Sequence, residues 1–233
     1  MPVLLLFDID GTLVKMKMGR SKMIFAEIMK ELFNIDVSLD SLPNFAGMTD
    51  LSILREIGES EGIPFSAILK NIDELWAKML SIFRKHTDKD VIELLPGVGE
   101  LIKNLSEIEH FQLGLCTGNF QANAFLKLGV YGIDKYFPSG AFGSDFEDRN
   151  LLPPLAIERA NSFFSNKPFS LANTVIIGDG PRDVSCARAN SLPVVCVATG
   201  GFSADLLAGL SPNILFKDFS DYNSVIKKLE NHF

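Results

Sequence analysis

Five short, largely apolar runs limit what this chain can fold into. They are Val3 to Phe7, Phe111 to Cys116, Thr174 to Ile177, Val194 to Val197 and Ile214 to Phe216. A strand with one wet face alternates apolar and polar residues. A strand that is apolar almost throughout is buried on both faces, as in a parallel sheet covered by helices. Helical patterns lie between the runs. Val98, Leu101, Ile102, Leu105 and Ile108 share a face after Pro96-Gly97. Leu155, Ala156, Ala160, Phe163 and Phe164 share another after Pro153-Pro154, where a first helical turn tolerates proline. From about Pro96 onward strand and helix alternate, which predicts an α/β domain with right-handed crossovers.

The segment from Lys15 to Lys89 reads differently. It has no strong strand run and two helical stripes: Ile24, Phe25, Ile28, Met29, Leu32 and Phe33, then Ile68, Leu69, Ile72, Leu75, Trp76, Met79, Leu80 and Phe83. At 75 residues this block is far longer than an ordinary crossover. The expectation is therefore an inserted helical subdomain over 15–89, with 1–14 and 90–233 forming the α/β core.

Charge narrows the function classes. Against 29 Asp+Glu stand 22 Lys+Arg, a formal net charge of −7. A nucleic-acid binder needs a basic face to displace counterions, so no nucleic-acid partner is expected. An anionic substrate remains compatible, because a bound metal supplies local positive charge. Cys116, Cys186 and Cys196 lack the close spacing of a zinc site and read as buried thiols in a reducing compartment. No apolar run approaches the roughly 18 residues of a membrane span. The N-terminus enters a strand-like run with no cleavage signal, so the cytoplasm is the expected location and no membrane partner is expected.

The chemistry gathers where the apolar runs end, which is where open α/β sheets place their ligands. The first run ends in Asp8-Ile9-Asp10-Gly11-Thr12. On an extended chain Asp8 and Asp10 point to one side, and two such carboxylates repel unless a cation or a proton intervenes. The run from Thr174 ends in Gly178-Asp179-Gly180-Pro181-Arg182-Asp183. Asp183 falls near a helix start if Pro181 takes the first helical position, where it also serves as a plain capping residue. Four carboxylates from two strand tips form a hard-oxygen site suited to Mg²⁺. The run from Phe111 ends in Thr117-Gly118-Asn119 before a helix. A hydroxyl and free N–H groups there suit a phosphate, and Asn119 also reads as an ordinary N-cap.

Taken in order, Asp8-x-Asp10-Gly11-Thr12, Thr117 and Gly178-Asp179-x-x-x-Asp183 resemble motifs I, II and IV of the haloacid dehalogenase-like hydrolase superfamily. The resemblance covers the whole chain. The helical insert is similar to the mobile cap of the phosphoglycolate phosphatase and β-phosphoglucomutase branch. The resemblance implies a Rossmann-like core and a Mg²⁺-dependent aspartyl-phosphate mechanism. Asp8 would be the nucleophile, and Asp10 the acid for the leaving oxygen and then the base for water. Mg²⁺ would meet the Asp8 carboxylate, the Asp10 backbone carbonyl and Asp179, with Asp183 as ligand or support. Thr117, Gly118 and Asn119 would hold phosphoryl oxygens. The loop Gly47-Met48-Thr49-Asp50 resembles the one that branch members use to reach substrate, with Thr49 the contact; the same residues also suit a simple helix start.

One departure concerns motif III, usually a lysine in this family. The stretch Glu147-Asp148-Arg149-Asn150-Leu151-Leu152-Pro153-Pro154 offers only Arg149 as a cation. Two readings stand. Arg149 takes the place of the lysine as a forked, permanent charge, or it is a solvated arginine paired with Glu147 or Asp148. The implied activity is hydrolysis of a small phosphorylated metabolite. The alternatives are a phosphomutase of the β-phosphoglucomutase type and, because the lysine is missing, a non-catalytic phosphate-ester binder.

Overall fold

A computed structural model describes residues 1–165 and 168–233. The runs form the expected sheet. It has six strands: β1 (Val3–Phe7), β4 (Phe111–Thr117), β5 (Gly140–Phe142), β6 (Thr174–Gly178), β7 (Val194–Val197) and β8 (Ile214–Phe216), in the order β5-β4-β1-β6-β7-β8. Every neighbouring pair is parallel.

Burial on both faces explains the unbroken apolar runs. In β1, Val3, Leu5 and Phe7 enter one core and Leu4 and Leu6 the other. The first core is closed by α5 (Val98–Glu107), α6 (Gln121–Gly129) and α10 (Tyr222–His232) through Leu101, Ala124, Leu128 and Leu229. The second is closed by α7 (Leu152–Phe163), α8 (Pro181–Ala189) and α9 (Ala204–Gly209) through Ala156, Ala160, Val184 and Leu207. The three-layer arrangement is Rossmann-like. The buried stripe of α7 is offset from the predicted one: Leu152, Ala156, Ile157 and Ala160 face the sheet, while Phe163 at the helix end is 59% exposed.

Between β1 and the rest of the sheet the chain forms α1 (Arg20–Phe33), α2 (Asp50–Ser60), α3 (Phe65–Leu69) and α4 (Ile72–Lys85). Ile24, Phe25 and Ile28 of α1 share an apolar core with Leu75, Met79 and Phe83 of α4. Three short strands go beyond the sequence expectation. β2 (Val14–Met16) and β3 (Ile92–Leu94) pair antiparallel where the chain leaves the core and returns to it. Each has three residues, too short for alternation to show. The edge strand β5 is equally short and starts on Gly140. The three cysteines are buried and free. Among the described residues no helix is long and apolar enough to cross a membrane.

Candidate active site

The connectivity brings three strand tips together. The chain passes from β1 outward to β4 and β5, then returns to the other side of β1 for β6, β7 and β8. β1 thus has β4 on one flank and β6 on the other, with Phe7 level with both Leu115 and Ile177. Such a reversal of winding opens a crevice at the carboxyl ends of the strands. Asp8 follows β1, Thr117 ends β4 and Asp179 follows β6, so all three edge one crevice.

The chain then turns sharply. The Ile9 carbonyl accepts from the amides of Thr12, Leu13 and Val14. Gly11 has φ 89°, and a Cβ there would lie 2.4 Å from Asp179 Oδ2. Only glycine meets both demands. The turn sends the two acids of the first loop to different partners, contrary to the extended-chain picture. Asp8 faces Arg149, whose Nη2 lies 3.1 Å from Asp8 Oδ1. Asp10 faces Lys127, whose Nζ lies 2.8 Å from Oδ1 and 2.7 Å from Oδ2.

Asp8, Asp179 and Asp183 are buried and each offers an oxygen within 4.8 Å of the others. Asp183 takes the capping position at the start of a helix. It accepts from the Gly180 N–H at 3.0 Å at the start of α8, where Pro181 is the first helical residue, and takes Arg149 Nη2 at 2.5 Å. Arg149 is 9% exposed, so the surface-arginine reading fails. Glu147 pairs with Arg55 instead. The carboxylates outnumber the one guanidinium, and burial raises the pKa values of Asp8 and Asp179. Asp8 rises to about 6, chiefly by desolvation, with Arg149 opposing and Asp183 adding to the rise. Asp179 rises to about 8, through desolvation and then the charges of Asp183 and Asp8. Such a hard-oxygen set with surplus negative charge fits a small divalent cation. The Asp10 carboxylate, engaged by Lys127, stands apart from this set.

Asn119 is not the helix cap, since Phe120 holds that position in α6. Its amide instead donates to Asp10 Oδ2 at 2.7 Å and to Thr117 Oγ1 at 3.0 Å. Gly118 lines the cleft, and its carbonyl accepts from the Asp50 amide at 2.7 Å. Thr49 is a correction in part. Its hydroxyl caps α2 by accepting from Ser52 N at 3.1 Å and donates to the Glu147 carbonyl at 2.8 Å. Those bonds occupy the hydroxyl, while Gly47, Met48 and Asp50 form the cleft wall. Asp50 Oδ2 accepts the Phe120 amide at 2.8 Å, and burial pushes its carboxyl up to about 7. The first turn of α2 is thereby fastened to the loop after β4.

The cleft has a volume of ≈ 230 Å³. Its floor carries Asp8, Asp10, Asp179 and Arg149, and its far wall carries Met16, Phe25, Phe45, Met48 and Phe83. Lys127 and Asn123 were missed by sequence reasoning, which sought the motif III cation only in the stretch Glu147 to Pro154. The signal lay in spacing. Asn119, Asn123 and Lys127 recur every four residues, and Asn123 and Lys127 lie on the buried face of α6 beside Ala124 and Leu128. Polar residues on a buried stripe are rarely idle.

Comparison with known proteins agrees with this geometry. A family model described as haloacid dehalogenase-like hydrolase matches residues 5–197. A phosphoglycolate phosphatase of Rhodospirillum rubrum is 26% identical over 232 residues, covering 94% of this chain and 89% of that protein. Among solved structures, a hydrolase from Pseudomonas syringae superposes with a TM-score of 0.69 at 18% identity, covering 97% of this chain and 98% of the other. A β-phosphoglucomutase from Clostridium difficile gives 0.66 at 17% identity, covering 97% and 99%.

The buried Asp50 gives a test of the packing between α2 and the core. Its folded pKa lies above the unfolded value of 3.8, so its stabilising contribution is full below that value and is lost as pH rises towards about 7. Asp50→Asn keeps an oxygen for the Phe120 amide and does not titrate. The difference in melting temperature, variant minus wild type, is expected to grow from about pH 5 to about pH 8. A difference that stays flat or shrinks over that range would show that Asp50 is ionised in the folded protein.

Proposed function

Because the chain belongs to the haloacid dehalogenase-like hydrolase family, matched over residues 5–197, we propose that it is a Mg²⁺-dependent phosphoric monoester hydrolase. Its substrate is a small phosphorylated metabolite of the cytoplasm, and its covalent intermediate forms on Asp8. The observation that carries this reading is the buried trio Asp8, Asp179 and Asp183 around one crevice, with Asp10 separately held by Lys127. The likeness to a phosphoglycolate phosphatase supports the reaction class.

Asp8, Asp179 and Asp183 would hold the metal with the Asp10 backbone carbonyl. When bound, Mg²⁺ neutralises these carboxylates and the phosphoryl oxygens, so that an anionic nucleophile can approach an anionic ester. The Asp8 carboxylate attacks phosphorus while the bond to the leaving oxygen breaks. Asp10 gives its proton to that oxygen, and the alcohol departs. The resulting Asp10 carboxylate takes a proton from a water molecule, whose oxygen attacks phosphorus. Inorganic phosphate leaves, and Asp8 is a carboxylate again. Phosphoryl oxygens meet the Thr117 hydroxyl, the Gly118 amide and Arg149. The buried Nε of Arg149 has no partner among the described residues, so the guanidinium retains a donor for an anion. The segment 15–89 serves as a cap whose apolar wall surrounds the leaving group and excludes water.

Two measurements test the proposal. Wild-type protein with Mg²⁺ should hydrolyse p-nitrophenyl phosphate and, when acid-quenched, carry phosphate on Asp8. Asp8→Asn should lower kcat by at least ~10³-fold, since the covalent route is lost. Full activity in that variant would rule out Asp8 as nucleophile. Mg²⁺ should also raise the melting temperature, and the rise should be larger at about pH 8 than at about pH 5. The sign follows from the raised pKa values of Asp8 and Asp179, about 6 and about 8, because the ion competes with protons for these oxygens. A stabilisation independent of pH would place the ion elsewhere.

A further inference from the structure

We propose that Lys127 is a positioning residue for Asp10. It is a buried ammonium that fixes the acid–base carboxylate and so acts on the leaving oxygen through it. The inference rests on the phosphatase reading above and goes beyond it by dividing the work between two cations. Arg149 serves the nucleophile, reaching Asp8 and Asp183. Lys127 serves the acid–base group, with Nζ at 2.8 and 2.7 Å from the two Asp10 oxygens. Each acid of the first loop thus has its own cation.

The holder is itself held. Lys127 Nζ also donates to Asn119 Oδ1 at 2.6 Å. Asn119 Nδ2 in turn donates to Asp10 Oδ2 at 2.7 Å, which closes a ring of three side chains. Asn123 Nδ2 donates to the same Asn119 Oδ1 at 3.1 Å, so the oxygen end of the Asn119 amide faces two donors and its nitrogen end two acceptors. Only one orientation of that amide satisfies all four bonds. Asn123 and Lys127 stand one turn apart on α6, and Asn119 lies directly before the cap residue Phe120, so the helix and the loop that enters it set the array together.

Burial separates this pair from a surface salt bridge. The Lys127 side chain is 5% exposed and the Asp10 side chain 39%. The cation is fixed inside while the carboxylate reaches the cleft, an arrangement that orients a reacting group. Asp10 lies in a tight turn with no other fixed side-chain partner besides Asn119 among the described residues. General acid catalysis depends on such placement, and a displaced acid protonates a poor leaving group badly while a good one departs without help.

The test compares phenyl phosphate with p-nitrophenyl phosphate, similar in size and different in the acidity of the alcohol released. The readout is kcat/KM, which covers the steps up to alcohol release. Lys127→Met should lower kcat/KM for phenyl phosphate about tenfold or more beyond its loss for p-nitrophenyl phosphate. Lys127→Arg should recover part of that gap. The ratio of the two esters on one preparation does not depend on the fraction of protein folded, so poor folding cannot mimic the effect. Equal losses on both esters, or none, overturn the positioning role and leave the phosphatase reading in place. Wild-type protein inert toward both esters overturns that reading, and this inference with it.

Discussion

Three carboxylates buried around one guanidinium set the terms for the rest of this structure. Asp8, Asp179 and Asp183 sit within a few ångströms of one another, out of water, with Arg149 as the compensating charge among them. Burying an ion without full compensation is costly, and the raised pKa values of Asp8 and Asp179 express that cost. An isolated loop would relax by moving the acids apart. Here they are held in place, because Asp8 and Asp179 each follow a strand whose side chains are buried on both faces of the sheet, and Asp183 sits in the first turn of α8. The apolar sheet therefore does more than stabilise the fold. It holds charges at a spacing they would not choose, a spacing that suits a divalent cation.

The same logic explains what could be read from the sequence. Buried parallel strands are written as unbroken apolar runs, and Val3 to Phe7, Thr174 to Ile177 and Val194 to Val197 fell where those runs lie. The acids at their ends were legible for the same reason, since a carboxylate directly after such a run has few places to go. β2, β3 and β5 were not legible, because three residues carry no period. The environment of Arg149 was not legible either. Its neighbours Glu147 and Asp148 suggested a local surface pair, whereas the carboxylates it pairs with, Asp8 and Asp183, lie on distant segments of the chain. Ion pairs between distant segments depend on topology, and only the folding order of the strands reveals them.

Lys127 shows the limit more sharply. The motif III cation was sought in the stretch from Glu147 to Pro154, which offers Arg149. The lysine lay one helix earlier, on a face otherwise made of Ala124 and Leu128. Helical patterns are usually read for their apolar members. On α6 the informative members are the polar ones, Asn123 and Lys127, which would be costly to bury without partners. Their partners are Asn119 and Asp10, and these tie the helix to the first strand of the chain.

That tie also bears on how the helical segment 15–89 meets the core. One of its contacts there is the turn opening α2, where the Asp50 amide binds the Gly118 carbonyl and the Asp50 carboxyl takes the Phe120 amide. Gly118 and Phe120 flank Asn119, the residue that bridges Lys127 and Asp10. Trp76 of α4 stacks on the Phe120 ring with centroids 5.2 Å apart. The seat of α2 and the support of the Asp10 carboxylate therefore fall on the same three residues. A shift of α2 away from this seat would release the Phe120 amide and loosen the loop that orients Asn119. The packing of α2 on the core and the orientation of the Asp10 carboxylate thus depend on one loop, because a displaced Phe120 amide would carry Asn119, and with it the bond to Asp10, along.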